Sequence, residues 1–297
     1  MLTKNQFIRS HGLGNDYLVM DPAQLSFKLT PANIVRVCDR NKGVGSDGIL
    51  TLEKPQAGAA ARLRIWNPDG SEAEKSGNGL RIFCKALFEH GYIEKSLFEI
   101  ETAGGRVTAQ LHLVVGKAAA VTVEMGKATF EAPKIPVNVP GGEVLDKLIP
   151  PIDPAHPGLR INCVSVGNPH CVVFVNNLDD AEAFAHEYGP LLEKHPLFPN
   201  RTNVQFAVVD DRKNVSIRIW ERGAGYTLAS GSSSCAVAAV CVKRGFTDGE
   251  ITLHMPGGDL SLKVSKDFDL TMRGPVEEIC LGTVTGELLT FLEKNGQ

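Results

Sequence analysis

The sequence predicts an α/β (α+β) protein of two homologous domains, each a curved sheet or barrel threaded by one central helix. Three observations carry that prediction. Arg64-Ile65-Trp66 recurs as Arg218-Ile219-Trp220; each Trp is followed by a Ser-Gly pair, Ser76-Gly77 and Ser230-Gly231; each pair opens an apolar run that ends at a glycine, Gly91 and Gly245. All share one offset of 154 positions (66 to 220, 76 to 230, 91 to 245), and within one residue it also pairs Gly14-Asn15 with Gly167-Asn168 and Gly104-Gly105 with Gly257-Gly258. A period this long marks duplication of a whole domain rather than a solenoid. At 297 residues the chain has the length of about two domains.

Short strands punctuated by Gly, Asn and Asp are expected at 17–21, 48–53, 61–66, 98–102, 106–113 and 119–125. The clearest helix of the first half is 31–40, with Thr30 as N-cap and Pro31 in the first position, where its missing N–H costs nothing. The other is 77–90. The second half repeats the grammar, with strands at 162–166, 171–175, 204–209, 215–220, 251–254 and 259–264, the apolar run 232–244, and a surface helix at 178–188 with an acidic first turn. The two runs after the Ser-Gly pairs are apolar all round, and a helix apolar on every side is buried on every side. Residues 130–158, rich in Pro and Gly, read as irregular connection and hairpin. The domain boundary is expected near Gly126, giving 1–126 plus 276–297 as one domain and 127–275 as the other. Residues 276–291 have no counterpart left and are expected to return to the first domain as a strand or two.

A hydrophobic share of 43%, a charged share of 22% and a net charge of -3 describe an ordinary globular protein without a basic footprint, so nucleic acid is not an expected partner. The N-terminus lacks the apolar core of a signal peptide and the chain has no apolar stretch of membrane-spanning length, so no membrane partner and a cytoplasmic address are expected. The seven cysteines show neither a disulfide framework nor Cys-x-x-Cys spacing. They read as reduced, buried small hydrophobes.

The chemistry gathers at the two helix starts, Ser76-Gly77-Asn78-Gly79 and Ser230-Gly231-Ser232-Ser233-Ser234. Free first-turn amides and the positive end of the helix dipole suit a carboxylate or phosphate, and two equivalent starts facing one cleft can share one anion. The surrounding polar residues are amide-rich: Asn15, Asn67, Asn78, Asn168 and Asn203, with Glu221-Arg222 before the second helix and His170 in Gly-Asn-Pro-His. Asn in turns and a solvated Glu-Arg pair need no function. Together, though, an Arg fork for a carboxylate and Glu and amide oxygens for an ammonium suit an amino-acid zwitterion.

Asn67-x-Asp69-Gly70-Ser71-x-Ala73, Gly77-Asn78-Gly79-x-Arg81, Trp220-Glu221-Arg222-Gly223-x-Gly225-x-Thr227-x-Ala229-x-Gly231, His11-Gly-Leu-Gly-Asn-Asp16 and Gly167-Asn168-Pro169-His170 resemble the signatures of the diaminopimelate epimerase family. The resemblance covers nearly the whole chain. It implies two homologous domains, each a mostly antiparallel barrel around a central helix, with the active-site cleft between them. It also implies PLP-independent, metal-free inversion of an amino-acid α-carbon by two-base proton transfer, LL- to meso-diaminopimelate in lysine biosynthesis. No cofactor is expected; the partner is a small-molecule amino acid, and the family's habit of dimerising makes a homodimer an expected state.

By resemblance the two acid–base positions are cysteines; in this chain they are Ser76 and Ser230. His170 and Glu221 are implied as residues tuning them. The reacting carboxylate would be held by Gly77, Asn78, Gly231 and Ser232, and the rest of the substrate by Asn15, Asn67, Asn168, Asn203, Glu221 and Arg222. A thiol titrates near 8.5 and a hydroxyl is a far weaker acid, so the replacement changes the proton chemistry. Gly231-Ser232-Ser233-Ser234-Cys235, where the family has Gly-Thr-Gly-Ala-Cys, favours a natural branch over an inactivating pair of substitutions. Three rival readings stand beside the two-serine isomerase: an isomerase or lyase using Glu221 or His170 as base, an amino-acid-binding protein without chemistry, and an inactivated epimerase.

Overall fold

The computed structural model describes residues 1–56, 58–73, 76–151 and 155–295. Two compact units are present: Met1–Glu124 with Gly274–Gln297, and Met125–Arg273.

In the first unit, β1 (Gln6–Gly12) pairs antiparallel with β2 (Asn15–Met20), and β2 runs parallel to β3 (Ile49–Glu53). β3 is antiparallel to β4 (Ala61–Trp66), which carries the two-residue β5 (Glu72–Ala73) and lies parallel to β6 (Leu97–Thr102); β6, β7 (Gly105–Val114) and β8 (Lys117–Lys127) form a meander. Helix α1 (Pro31–Cys38) is capped by the Thr30 hydroxyl, which accepts from Asn33 N at 3.2 Å. Helix α2 (Gly77–Glu89) buries every residue from Gly77 to Leu87 and packs against β1, β2, β4 and β7. Its two cations are buried because each finds acceptors. Arg81 donates to Asn78 Oδ1 and Gly77 O, and Lys85 to Glu89 Oε1 and Ala118 O. Breaking one partner of such a buried charge is what destabilises, which ties Arg81 to Asn78 energetically.

The second unit repeats this order. The short β9 (Lys147–Leu148) pairs with β10 (Arg160–Ser165), which is antiparallel to β11 (Pro169–Phe174); β11 is parallel to β12 (Asn203–Val209), β12 antiparallel to β13 (Asn214–Glu221) and β13 parallel to β15 (Glu250–Met255), with β14 (Gly225–Thr227) alongside β13. β16 (Gly258–Val264) and β17 (Asp269–Pro275) complete the meander. Helices α3 (Leu178–Glu187) and α4 (Gly189–Glu193) cover β12 and β13, whereas α5 (Gly231–Lys243) packs against β10, β11, β12, β15 and β16. Residues 233–241 of α5 are buried without a break, as expected for a helix dominated by Ala, Val and Cys with only Ser233 and Ser234 polar in that span.

Strand registers align the copies residue by residue. Trp66 stands opposite Ile49, and Ile49 opposite Leu18; Trp220 stands opposite Val204, and Val204 opposite Cys171. Tyr17 and His170 are therefore equivalent positions.

The chain then runs into β18 (Glu277–Thr283), which pairs with β1 and contacts α2. Beyond β18 the chain forms helix α6 (Gly286–Lys294) rather than a second strand. Its Leu288, Leu289 and Leu292 fall on one face and pack into a cluster with Phe7, Leu18, Phe27 and Ile34, so a core facing one side imposes helical spacing there. The segment 130–158 holds one short turn of helix, Ala132–Lys134, and β9; its residues 152–154 lie outside the described residues.

Candidate active site

Each unit opens its central helix on a serine in extended backbone. Ser76 (φ -138°, ψ 120°) accepts from Gly79 N at 3.1 Å, and Ser230 (φ -148°, ψ 124°) accepts from Ser233 N at 3.5 Å. This is N-cap geometry, which leaves the first-turn amides of Gly77, Asn78, Gly231 and Ser232 without intrahelical acceptors. Gly79 leaves little room for a side chain: a Cβ there would sit 3.2 Å from Ser76 Oγ and 3.0 Å from Leu50 Cδ2.

Around Ser76 the side chains form a directed chain of donors. Arg81 donates to Asn78 Oδ1 (2.9 Å), Asn78 Nδ2 to Asn15 Oδ1 (3.1 Å), and Asn15 Nδ2 to Asp47 Oδ2 (2.9 Å). Asp47 and Asp16 share Arg40, and Asp16 also accepts from Arg9. Burial pushes the Asp16 carboxyl up, but the Arg40 and Arg9 guanidinium groups outweigh it and hold it below the usual carboxylate range. Asn15 and Asn78 are thus fixed beside the helix start. The Tyr17 hydroxyl oxygen lies 3.3 Å from Ser76 Oγ, with either as donor. Asn67 is engaged otherwise: its backbone and side chain close the β4–β5 turn with Ser71 at 2.8 and 3.0 Å.

In the second unit His170 is fully buried. Gln205 Nε2 donates to its Nδ1 at 3.0 Å, so Nε2 carries the proton and donates to Asn168 Oδ1 at 2.8 Å. Burial, aided by the Arg222 charge and opposed by the Gln205 hydrogen bond, pushes its pKa down to about 3. An imidazole with both nitrogens occupied and its cation so disfavoured is a poor base, which weighs against the reading that gave it that role. Nor does it bond to Ser230; it connects through Gln205, whose Nε2 also lies 3.0 Å from Ser233 Oγ, and Ser233 N in turn reaches Ser230. Ser232 Oγ lies 3.5 Å from Ser230 Oγ.

Asn203 donates to Pro169 O and accepts from Arg222 N, and the Arg222 guanidinium donates to Asn200 O. Glu221 is half-buried at the end of β13. Two residues that composition did not single out matter here: Gln205, and Glu193, which is buried and receives Trp220 Nε1, Gly223 N and Arg201. Burial raises the Glu193 pKa, yet those donors bring it below the usual range and so anchor the loop carrying Glu221 and Arg222. Six of the seven cysteines are buried and Cys280 is exposed; burial alone pushes the Cys84 thiol up and the Cys241 thiol up to about 12, so neither is a thiolate. No cluster of three or more His, Cys, Asp or Glu with metal-binding proximity occurs among the described residues, and no helix among them is long and apolar enough to cross a membrane.

A family model described as diaminopimelate epimerase matches residues 7–131 and 162–279. Diaminopimelate epimerase 2 of Nostoc sp. is 47% identical over 287 residues, covering 96% of this chain and 98% of that protein. Diaminopimelate epimerase of Pelotomaculum thermopropionicum is 40% identical, covering 93% and 97%. Among solved structures, a hydroxyproline epimerase from Agrobacterium vitis with bound trans-4-OH-L-proline superposes with a TM-score of 0.71 at 18% identity, over 96% of this chain and 92% of that one.

Proposed function

The chain belongs to the diaminopimelate epimerase family, and from that premise we propose that Ser76 and Ser230 are the two residues that take and return the α-proton. The protein is a diaminopimelate epimerase-like isomerase, acting in lysine biosynthesis on LL- and meso-diaminopimelate. The observation that carries the two-serine reading is that one device occurs once in each copy: a serine oxygen receiving an N–H at the start of a largely buried central helix. A carboxylate bound at such starts brings the α-carbon beside the hydroxyls, and the first-turn amides of Gly77, Asn78, Gly231 and Ser232 meet the negative charge that builds on it as the proton leaves. One serine removes the proton from one face; the other supplies a proton to the opposite face.

Asn15, held between Asn78 and Asp47, and Asn168, Asn203, Glu221 and Arg222 bind the remainder of the amino acid. The units 1–126 with 276–297 and 127–275 act in this proposal as homologous domains. A cytoplasmic address and a homodimer belong to the same proposal, open to cell fractionation and light scattering.

The test is interconversion of LL- and meso-diaminopimelate followed by chiral separation. Ser76→Ala and Ser230→Ala are each expected to lower the rate by about 10²- to 10⁴-fold, the usual worth of a positioned acid–base group. A double alanine variant that keeps the rate within about threefold of the unaltered protein overturns the assignment, since that range allows no smaller loss.

A further inference from the structure

We propose that Tyr17 is a positioning residue for the proton on Ser76: its phenolate oxygen accepts the Ser76 hydroxyl proton as Ser76 Oγ takes the α-proton, and the resulting phenol hands it back in the reverse direction. The inference rests on the isomerase reading above and extends it to a residue outside the helix starts.

Three observations support it. Tyr17 Oη and Ser76 Oγ lie 3.3 Å apart, 59 positions apart in sequence. The phenol is buried, and Gly48 makes room for it: a Cβ at Gly48 would lie 2.7 Å from Tyr17 Cε1 and 2.4 Å from Trp66 O. Strand register makes Tyr17 the counterpart of His170, so the duplicated scaffold puts a proton-bearing ring at the same place in both copies. The two have diverged chemically. His170 has both nitrogens committed to neutral amides, while Tyr17 directly contacts the capping serine.

The chemistry answers the difficulty set by the serine. An aliphatic hydroxyl gives up its proton reluctantly, whereas a phenol titrates near 10. In the forward step the α-carbon–hydrogen bond breaks and its electron pair stays on the substrate. The proton passes to Ser76 Oγ, and the original Oγ proton passes to the Tyr17 phenolate. No free alkoxide forms and charge balances, one anion being replaced by another.

Among the described residues, ionisable groups on or next to the elements packed around Tyr17 include Arg9 and His11 on β1, Asp16 on β2, Arg40 and Asp47 before β3, Glu53 on β3, and Arg81, Lys85 and Glu89 on α2. Arg9, Asp16, Arg40 and Asp47 join in one cluster, His11 meets Glu277, and Lys85 meets Glu89. Arg81 donates to the Asn78 and Gly77 oxygens in the first turns of that helix, and the proposed step needs the Tyr17 oxygen in its phenolate form. The reaction rate is therefore expected to rise with pH toward the phenol pKa.

The experiment compares four proteins, the unaltered chain, Tyr17→Phe, Ser76→Cys and the double variant, by deuterium incorporation at the α-carbon of LL- and meso-diaminopimelate in D2O across pH 6 to 10, with circular dichroism to confirm the fold. Tyr17→Phe is expected to lower the rate by about 100-fold, at the low end for an acid–base group, and to flatten its rise with pH. In the Ser76→Cys background, where a thiolate needs no phenol, the same change is expected to cost at least 10-fold less. A Tyr17→Phe rate within about threefold of the parent with an unaltered pH profile, far short of the loss of such a group, overturns the inference while leaving the isomerase reading standing. So does an equal loss in both backgrounds. An absence of exchange by the unaltered protein overturns the isomerase reading and, with it, the role of Tyr17.

Discussion

Lowering the pH from 7 to 5 should destabilise the second unit through one residue, His170. In the unfolded chain a histidine titrates near 6.5, while burial depresses the folded pKa to about 3. Between those values the unfolded state binds a proton that the folded state refuses, so stability is complete above about pH 6.5 and falls as pH drops toward 3. From pH 7 to pH 5 the linkage amounts to about 2 kcal/mol, or a shift of about 1 M in a urea midpoint for a unit of this size. The chain has two tryptophans, one in each unit, so a Trp66→Phe background leaves Trp220 fluorescence as a reporter on the second unit alone. Its indole N–H is bonded to Glu193, which makes the signal sensitive to that packing. The midpoint should move by about that amount with pH in this background and far less when His170→Asn is added. Equal pH dependence in the two proteins would show that His170 is not held neutral by its site, and the reasoning about its burial would be wrong.

Three more outcomes rest on individual contacts. Gly79→Ala forces a methyl group within 3.2 Å of Ser76 Oγ and 3.0 Å of Leu50 Cδ2; a stability loss of about 1–3 kcal/mol by thermal melt, with reduced activity, is expected. Gln205→Leu removes the donor to both His170 Nδ1 and Ser233 Oγ, so a loss of about 1–3 kcal/mol and a raised KM are expected from calorimetry and steady-state kinetics. Changing both Ser76 and Ser230 to Cys places thiols at the same helix starts, and turnover at pH 7 to 8 should rise by about 10-fold or more because a thiolate base is accessible there.

The two-part α/β plan was legible because its strongest signals are local. The predominantly apolar runs after Ser76 and Ser230 read as buried helices, and the Trp-centred strands before them recur at one spacing. Other features were hidden for identifiable reasons. β1 carries Ser10 and Gly12 at buried positions, so its alternation does not read as a hydrophobic strand. Gln205 in Val-Gln-Phe looks like the solvent side of a period-2 pattern, but β12 lies between α5 on one side and α3 and α4 on the other, and both faces are buried. Helix α6 exposes Phe291 and buries only Leu292 fully, a stripe too narrow to announce itself.

Within the candidate site, Ser76, Asn78, Asn15 and Ser230 stood out from the sequence because the duplicated motifs contain them. The bonds that decide how they act join residues far apart in the chain. Tyr17 reaches Ser76, and Gln205 reaches His170 and Ser233, only once parallel strand pairing has set their register.

The central claim is a proton exchanged between substrate and two serines, and isotope labelling of the first turnovers tests it most directly. LL-diaminopimelate incubated in D2O should give meso product bearing deuterium at the inverted carbon while the remaining substrate still carries protium, the pattern of separate donor and acceptor on opposite faces. Product retaining its original proton, or no exchange with the protein in stoichiometric excess, would contradict it.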